Sequence, residues 1–169
     1  MSSPASGVCG RCGARGTSCC ISAEGIDGPP LTPADEARIT AATGLAPERF
    51  VSEREVDAVE EEAWAEEDPG LRGIVRRGLV RSIKRQADDA TCGFLEPTGC
   101  ALGDARPLAC QRFPFVPRGG EILVRPAGDC LAVEEASGLP QLLVLLGTSR
   151  KAVRAIDAQL RAELRAEAG

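Results

Sequence analysis

The chain has 169 residues, of which 43% are hydrophobic, 27% charged and only 3% aromatic. This length and composition predict one soluble globular domain whose core is built mainly from aliphatic side chains. The net charge of -5 argues against a nucleic-acid partner, because binding phosphates needs a clustered positive surface. No apolar run approaches the roughly 20 residues that cross a bilayer, and the first residues lack the pattern of an export signal, so we expect a cytoplasmic protein without a membrane partner.

Two cysteine pairs open the chain. Cys9-Gly10-Arg11-Cys12 has the C-x-x-C spacing of a metal knuckle, in which Gly10 and Gly13 would allow a tight turn. The same spacing occurs in thioredoxin-like redox motifs, but those need a helix start after a strand, and residues 13–18 are typical of a loop. Neighbouring side chains diverge, so the doublet Cys19-Cys20 would serve two ions, or one cysteine would bind and the other would pack.

The segment after the doublet contains the first clear helix signal. Thr32 precedes Pro33 and two acidic residues, which predicts a helix capped by Thr32 and ended by Gly44.

Two segments of opposite charge follow. Residues 52–68 contain nine acidic side chains and one arginine, whereas residues 71–85 contain five arginines, one lysine and no acid. The apolar residues of the second segment have helical spacing, so we expect a helix there. The simpler interpretation is that the two segments pair within the chain, and the alternative is a basic face formed by Arg76, Arg77 and Arg81 that docks an acidic partner.

The remaining four cysteines each lie beside a turn-forming residue, which is hard to explain if they were only small buried hydrophobes. They are Cys92, Cys100, Cys110 and Cys130.

The last third of the chain predicts a hairpin and two helices. An extended segment from Phe113 leads through Arg118-Gly119-Gly120 into a strand at 121–125, and Phe113 and Phe115 would shield the cysteines from water. Helices are expected at 139–146 and 152–166, the second with an apolar stripe that is most simply core and alternatively a dimer seam. We therefore expect an α+β fold with cysteine-bearing loops stapled by metal, in which residues 1–138 form the metal-binding domain and residues 139–169 a helical segment packed on it.

The chemistry of the cysteines follows from the compartment and from the absence of histidine. Thiols stay reduced in the cytoplasm, so clustered cysteines there are more often ligands than disulfides. Without histidine a soft-metal site is all-thiolate, which suits zinc or an iron-sulfur cluster and excludes calcium and magnesium. Nearby arginines would offset the negative charge of such a site, or be solvated surface residues. The candidate metal ligands are Cys9, Cys12, Cys19, Cys20, Cys92, Cys100, Cys110 and Cys130, and the candidate charge-offsetting residues are Arg11, Arg15, Arg106 and Arg112.

The cysteine pattern resembles the YkgJ-like CxxCxxCC family, described as a putative zinc- or iron-chelating domain. The resemblance spans Cys9 to Cys130 and includes the segment 106–114, RPLACQRFP, which is similar to the family's RPxxCRxFP stretch. Six residues separate Cys12 from Cys19 where the family has two, and Gln111 stands where the family has arginine. The resemblance implies a bound metal and does not settle an activity.

The sequence thus predicts a metal-binding protein whose zinc or iron is structural or carried. The alternatives are an iron-sulfur redox protein that passes electrons or assists a methylation-type reaction, and an interaction module with the metal only as a staple. The known motifs for phosphate binding, serine hydrolysis and radical chemistry do not occur in the sequence. Their absence alone does not decide whether the protein is an enzyme.

Overall fold

The computed structural model describes residues 7–15, 20–21, 28–126 and 130–167. Within these ranges the chain forms an α+β fold of seven α-helices and three two-stranded antiparallel sheets, as the sequence predicts. The helices are α1 (Val8–Ala14), α2 (Pro33–Thr43), α3 (Ala58–Glu67), α4 (Leu108–Arg112), α5 (Leu131–Glu135), α6 (Leu139–Leu145) and α7 (Arg150–Ala166). The strands are β1 (Val51–Glu55), β2 (Leu79–Ile83), β3 (Leu95–Glu96), β4 (Gly99–Cys100), β5 (Phe115–Arg118) and β6 (Glu121–Val124).

Helix α2 begins and ends where the sequence predicts. The Thr32 side chain accepts a hydrogen bond from the Asp35 N–H, and the Asp35 carboxylate accepts one from the Thr32 N–H at 2.9 Å. This reciprocal capping box satisfies two amides that the first turn would otherwise leave unpaired. Gly44 ends the helix in the left-handed conformation.

The prediction of a helix within residues 71–85 is wrong. The second half of this segment is β2, which pairs antiparallel with β1 from Val51 opposite Ile83 to Glu55 opposite Leu79. Gly73 and Gly78 both have positive φ, which interrupts a helix, and Arg76 and Leu79 pair across a two-residue turn. The apolar spacing is compatible with both structures over so short a run.

The acidic and basic segments pair within the chain, as the simpler interpretation predicts. Arg81 forms an ion pair with Glu53 across the β1–β2 sheet, and Arg72 lies 3.3 Å from Glu62 of α3. Arg76 instead reaches Glu167 beyond the end of α7, with 2.5 Å between the charged atoms.

The hairpin and both C-terminal helices are confirmed. Strands β5 and β6 pair with Arg118 opposite Glu121, so Gly119 and Gly120 form the turn. The apolar stripe of α7 is core, because Val153 and Leu160 are at most 1% exposed.

The buried apolar residues form three clusters. One lies between α1, the β5–β6 hairpin, α5 and α6, and includes Cys12 and Cys130. A second includes Cys92 and has Cys20 and Cys100 packed against it. The third joins α7 to Leu108 of α4 and to the β1–β2 region. No helix in the described ranges is long and apolar enough to span a membrane.

Candidate metal centre

The seven cysteines that the structure describes are free thiols, and Cys19 lies outside the described residues. Cys9 and Cys12 lie on helix α1, so the tight-turn knuckle predicted for them is wrong. Their glycines serve close packing instead. A β-carbon on Gly99 of β4 would lie 3.7 Å from the Cα of Gly10, so bare backbone meets bare backbone where α1 contacts the β3–β4 hairpin.

Three cysteines lie where α1 meets α5, and we call Cys9, Cys12 and Cys130 the α1–α5 thiols. Cys12 and Cys130 are buried in the same apolar cluster as Phe115, with Phe113 packed against it, whereas Cys9 is exposed. Thus the two phenylalanines expected to cover cysteines do lie against this pair.

Two exposed ion pairs join the helices that carry the α1–α5 thiols. Arg11 donates to Glu135 at 2.8 and 2.9 Å, and Arg15 donates to Glu134 at 3.0 Å. Exposed pairs of this kind contribute little to stability, so burial of Val8 and Cys12 holds α1 in place more than its charges do.

The other four described cysteines form what we call the four-thiol group, Cys20, Cys92, Cys100 and Cys110. The Cys92 N–H donates to the Cys20 carbonyl at 2.6 Å, which brings two segments more than 70 residues apart in sequence side by side. Cys100 pairs across the β3–β4 hairpin with Leu95, which follows Cys92 by three residues. Cys110 lies in the middle of α4.

Backbone amides in the two turns of this group approach cysteine sulfurs. The Phe94 N–H lies near the Cys92 sulfur, and the Leu102 and Gly103 N–H groups lie near the Cys100 sulfur, and each acts to lower the pKa of that thiol. Amides two and three residues after a cysteine favour its thiolate, as around metal-bound sulfur.

Burial opposes that effect and is stronger. It raises the pKa of Cys92 to about 11, raises that of Cys100, and raises that of Cys110 well above its ordinary value. Every pair among the four thiols is also close enough for one thiolate to raise the pKa of the other. Cys92, Cys100 and Cys110 are therefore protonated at neutral pH in the absence of metal, which disfavours a reactive thiolate.

Of the four arginines expected to offset thiolate charge, Arg106 does so most directly. Burial raises the pKa of both Cys9 and Cys100, and the Arg106 guanidinium partly opposes this at each thiol, so it lies near both sets of thiols. Arg85, which sequence reasoning missed, acts in the same way on Cys92. Arg11 and Arg15 are surface residues paired with glutamates, as the alternative interpretation predicts.

Arg112 is buried and pairs with carboxylates. It is 2% exposed, with Nη1 2.6 Å from Asp157 and Nη2 2.5 Å from Asp68. Gly70 packs against this group so closely that a β-carbon there would collide with the Arg112 and Asp157 side chains. This side chain therefore anchors α4 and does not face the sulfurs as a free cation.

The other end of α4 is held by Asp35, a second residue that sequence reasoning assigned only to a helix cap. Its carboxylate is 1% exposed and accepts the Leu108 N–H at 3.0 Å, in addition to its bonds with Thr32 and Arg38. A single buried carboxylate thus connects the start of α2 to the start of the cysteine-bearing helix. Its spacing from Pro33 predicts the cap, but no local signal identifies a contact 73 residues away.

The donor chemistry of the thiols suits zinc or iron, since thiolate ligands select soft and borderline metals. The positions of the side chains do not form a finished metal site. Among the described residues, no three or more cysteine or acidic side chains are gathered closely enough to hold an ion. Binding would therefore require the thiols to move together.

Comparisons with models of known families, with curated proteins and with solved structures found no match to this chain. The resemblance to the YkgJ-like family, which rests on the cysteine pattern, therefore stays a prediction.

Proposed function

We propose that this chain is a metal-binding protein that holds zinc or iron through cysteine thiolates, with the four-thiol group as its principal ligand set. The observation that carries this proposal is the approach of three backbone amides to the Cys92 and Cys100 sulfurs, within a group of four neighbouring thiols. Amides directed at sulfur stabilise negative charge, which a neutral buried thiol does not need.

The number and type of donors support the same proposal. Zinc and iron-sulfur clusters use tetrahedral all-thiolate sites with four sulfurs, and this group offers four. Arg85 and Arg106 bring positive charge to Cys92 and Cys100, which would offset the charge of bound thiolates. The resemblance to the YkgJ-like family adds support from the sequence.

A catalytic thiol is a weaker account of the same residues. Nucleophilic cysteines have a lowered pKa and a general base nearby, whereas burial raises the pKa of Cys92, Cys100 and Cys110 here, and the chain has no histidine. Metal binding supplies the missing driving force, because it favours the deprotonated sulfur.

A cobalt titration of the reduced, oxygen-free protein tests the assignment of the ligand set. Thiolate-bound cobalt(II) has intense absorption, so uptake is read directly. We expect Cys92→Ser to weaken binding by at least about tenfold, because one of the four ligands is lost. Cys130→Ser is the matched control, since Cys130 is buried like Cys92 but belongs to the α1–α5 thiols.

Two outcomes would contradict the proposal. Absence of cobalt uptake by the unaltered protein would overturn metal binding itself. An equal loss of affinity in C92S and C130S would overturn the four-thiol group as the principal ligand set.

A further inference from the structure

Helix α4, which carries Cys110, has few means of holding its own shape. It has five residues, about one and a half turns, and no side chain caps its start. Helices of this length are unstable alone, because nucleation fixes several residues before any hydrogen bond forms. Its conformation must therefore come from its tertiary contacts.

Those contacts are buried and ionic at both ends. At the start, Asp35 accepts the Leu108 N–H at 3.0 Å. At the end, Arg112 donates to Asp157 at 2.6 Å and to Asp68 at 2.5 Å, and all three side chains are at most 9% exposed. We call these two sets of bonds the α4 clamp.

Both ends of the α4 clamp lead to helix α7. Asp157 belongs to α7 and holds Arg112 directly. Glu163, one and a half turns further along α7, binds Arg38 at 2.7 Å, and Arg38 in turn binds Asp35 at 2.5 Å. Helix α7 contains no cysteine, yet each end of the cysteine-bearing helix depends on one of its carboxylates.

We propose that α7 is the positioning element for Cys110, so that docking of α7 and metal binding by the four-thiol group stabilise each other. Asp157 and Glu163 are its positioning residues. The metal-binding half of this inference rests on the proposed function, whereas the placement of Cys110 does not.

The coupling follows from the cost of breaking the clamp at one end. Without the Asp157 charge, buried Arg112 keeps only Asp68 as a direct anionic partner within the clamp, and a buried arginine short of negative charge favours local opening. Opening unwinds α4 and moves Cys110 away from the other three thiols. By linkage, a metal that requires Cys110 in place must stabilise the docked state of α7 by the same factor.

Site-resolved alkylation of the metal-free, reduced full chain tests the placement. Iodoacetamide is added under native conditions, and mass spectrometry gives the rate at each cysteine. We expect Asp157→Asn to accelerate alkylation of Cys110 by about tenfold or more. The alkylation rates of the α1–α5 thiols should change by less than about twofold, because opening is local. The matched control is Arg154→Gln, which removes an α7 bond to the Gly120 carbonyl but leaves α4 untouched.

A milder variant covers the case in which D157N does not fold. Glu163→Gln keeps a neutral hydrogen-bond acceptor where Glu163 binds Arg38. We expect it to accelerate alkylation of Cys110 selectively, by about threefold. Unchanged Cys110 rates in both variants, or equal acceleration of all described cysteines, would overturn the role of α7.

Zinc binding by the same proteins separates this inference from the proposed function. We expect D157N to weaken zinc affinity by about fivefold or more and R154Q to leave it unchanged. If the unaltered chain binds no zinc or iron, the proposed function fails, and the alkylation pattern still decides whether α7 positions Cys110. If it binds metal and D157N binds equally well, only the coupling fails.

Discussion

Asp35 and Glu163 show how single carboxylates connect distant parts of this chain. Asp35 closes the capping box of α2 and also holds the start of α4, and Glu163 accepts bonds from Thr32, Arg38 and Gln159. The sequence predicts the cap, because its residues are adjacent. It could not predict the other bonds, which depend on how α2, α4 and α7 pack.

The pH dependence of stability should report on Glu163. Burial raises its pKa, but hydrogen bonds from Arg38, Thr32 and Gln159 outweigh burial and hold the pKa below its ordinary value of 4.5. A carboxyl with a lowered pKa stabilises the fold above the unfolded pKa, and that contribution is lost as the pH falls through the folded pKa. We expect Glu163→Gln to cost roughly 1–2 kcal/mol at pH 7 and less below pH 4.5.

Urea denaturation at a series of pH values measures this difference. The control is Ser149→Ala, which removes the neutral cap of α7 but no partner of Glu163, and it should show a nearly constant difference from the unaltered protein. A cost of E163Q that stays constant or grows towards acidic pH would contradict the assigned role of Glu163.

The cysteines illustrate what residue types alone can predict. Eight thiols without histidine predict soft-metal chemistry, and the turn-forming neighbours of Cys92 and Cys100 accompany amides that lie near the two sulfurs. The sequence left four arginines as equal candidates for charge compensation. Only the fold distinguishes Arg106, near two thiols, from Arg112, which is held by Asp68 and Asp157.

At the scale of elements, long periodic segments and strong turn signals were predictable. Helices α2, α6 and α7 and the β5–β6 hairpin agree with the sequence expectations because cap, turn and apolar spacing indicate the same structure. Short segments were not predictable. Helix α1 forms despite two glycines because it packs closely on β4, and residues 79–83 form a strand because β1 offers a partner.

The turn before β2 provides a test at this scale. Arg77 and Gly78 both have positive φ between the paired residues Arg76 and Leu79, as in a type I′ turn. Arginine is disfavoured in the left-handed region, where asparagine is common. We expect Arg77→Asn to raise the free energy of unfolding by about 0.5–1 kcal/mol.

Thermal or urea denaturation measures this change, and Arg77→Lys is the control because lysine keeps the charge and the backbone strain. If R77N were no more stable than R77K, the strain attributed to Arg77 would be absent.

At the scale of the whole molecule, the fold determines which thiols lie together, and the sequence does not reveal this grouping. Cys12, near the start, shares a cluster with Cys130, whereas Cys20 lies beside Cys92. The spacing of the cysteines along the chain does not show which of them meet in the fold. The fold instead divides the described cysteines between two regions, and this division depends on long-range packing of α1 against β4 and α5.

The metal content of protein purified without oxygen tests the central claim most directly. Elemental analysis with an ultraviolet-visible spectrum should find about one or two zinc or iron atoms per chain, colourless for zinc and brown with acid-labile sulfide for an iron-sulfur cluster. Less than about a tenth of an equivalent of either metal, in protein that is folded and whose thiols are reduced, would contradict it.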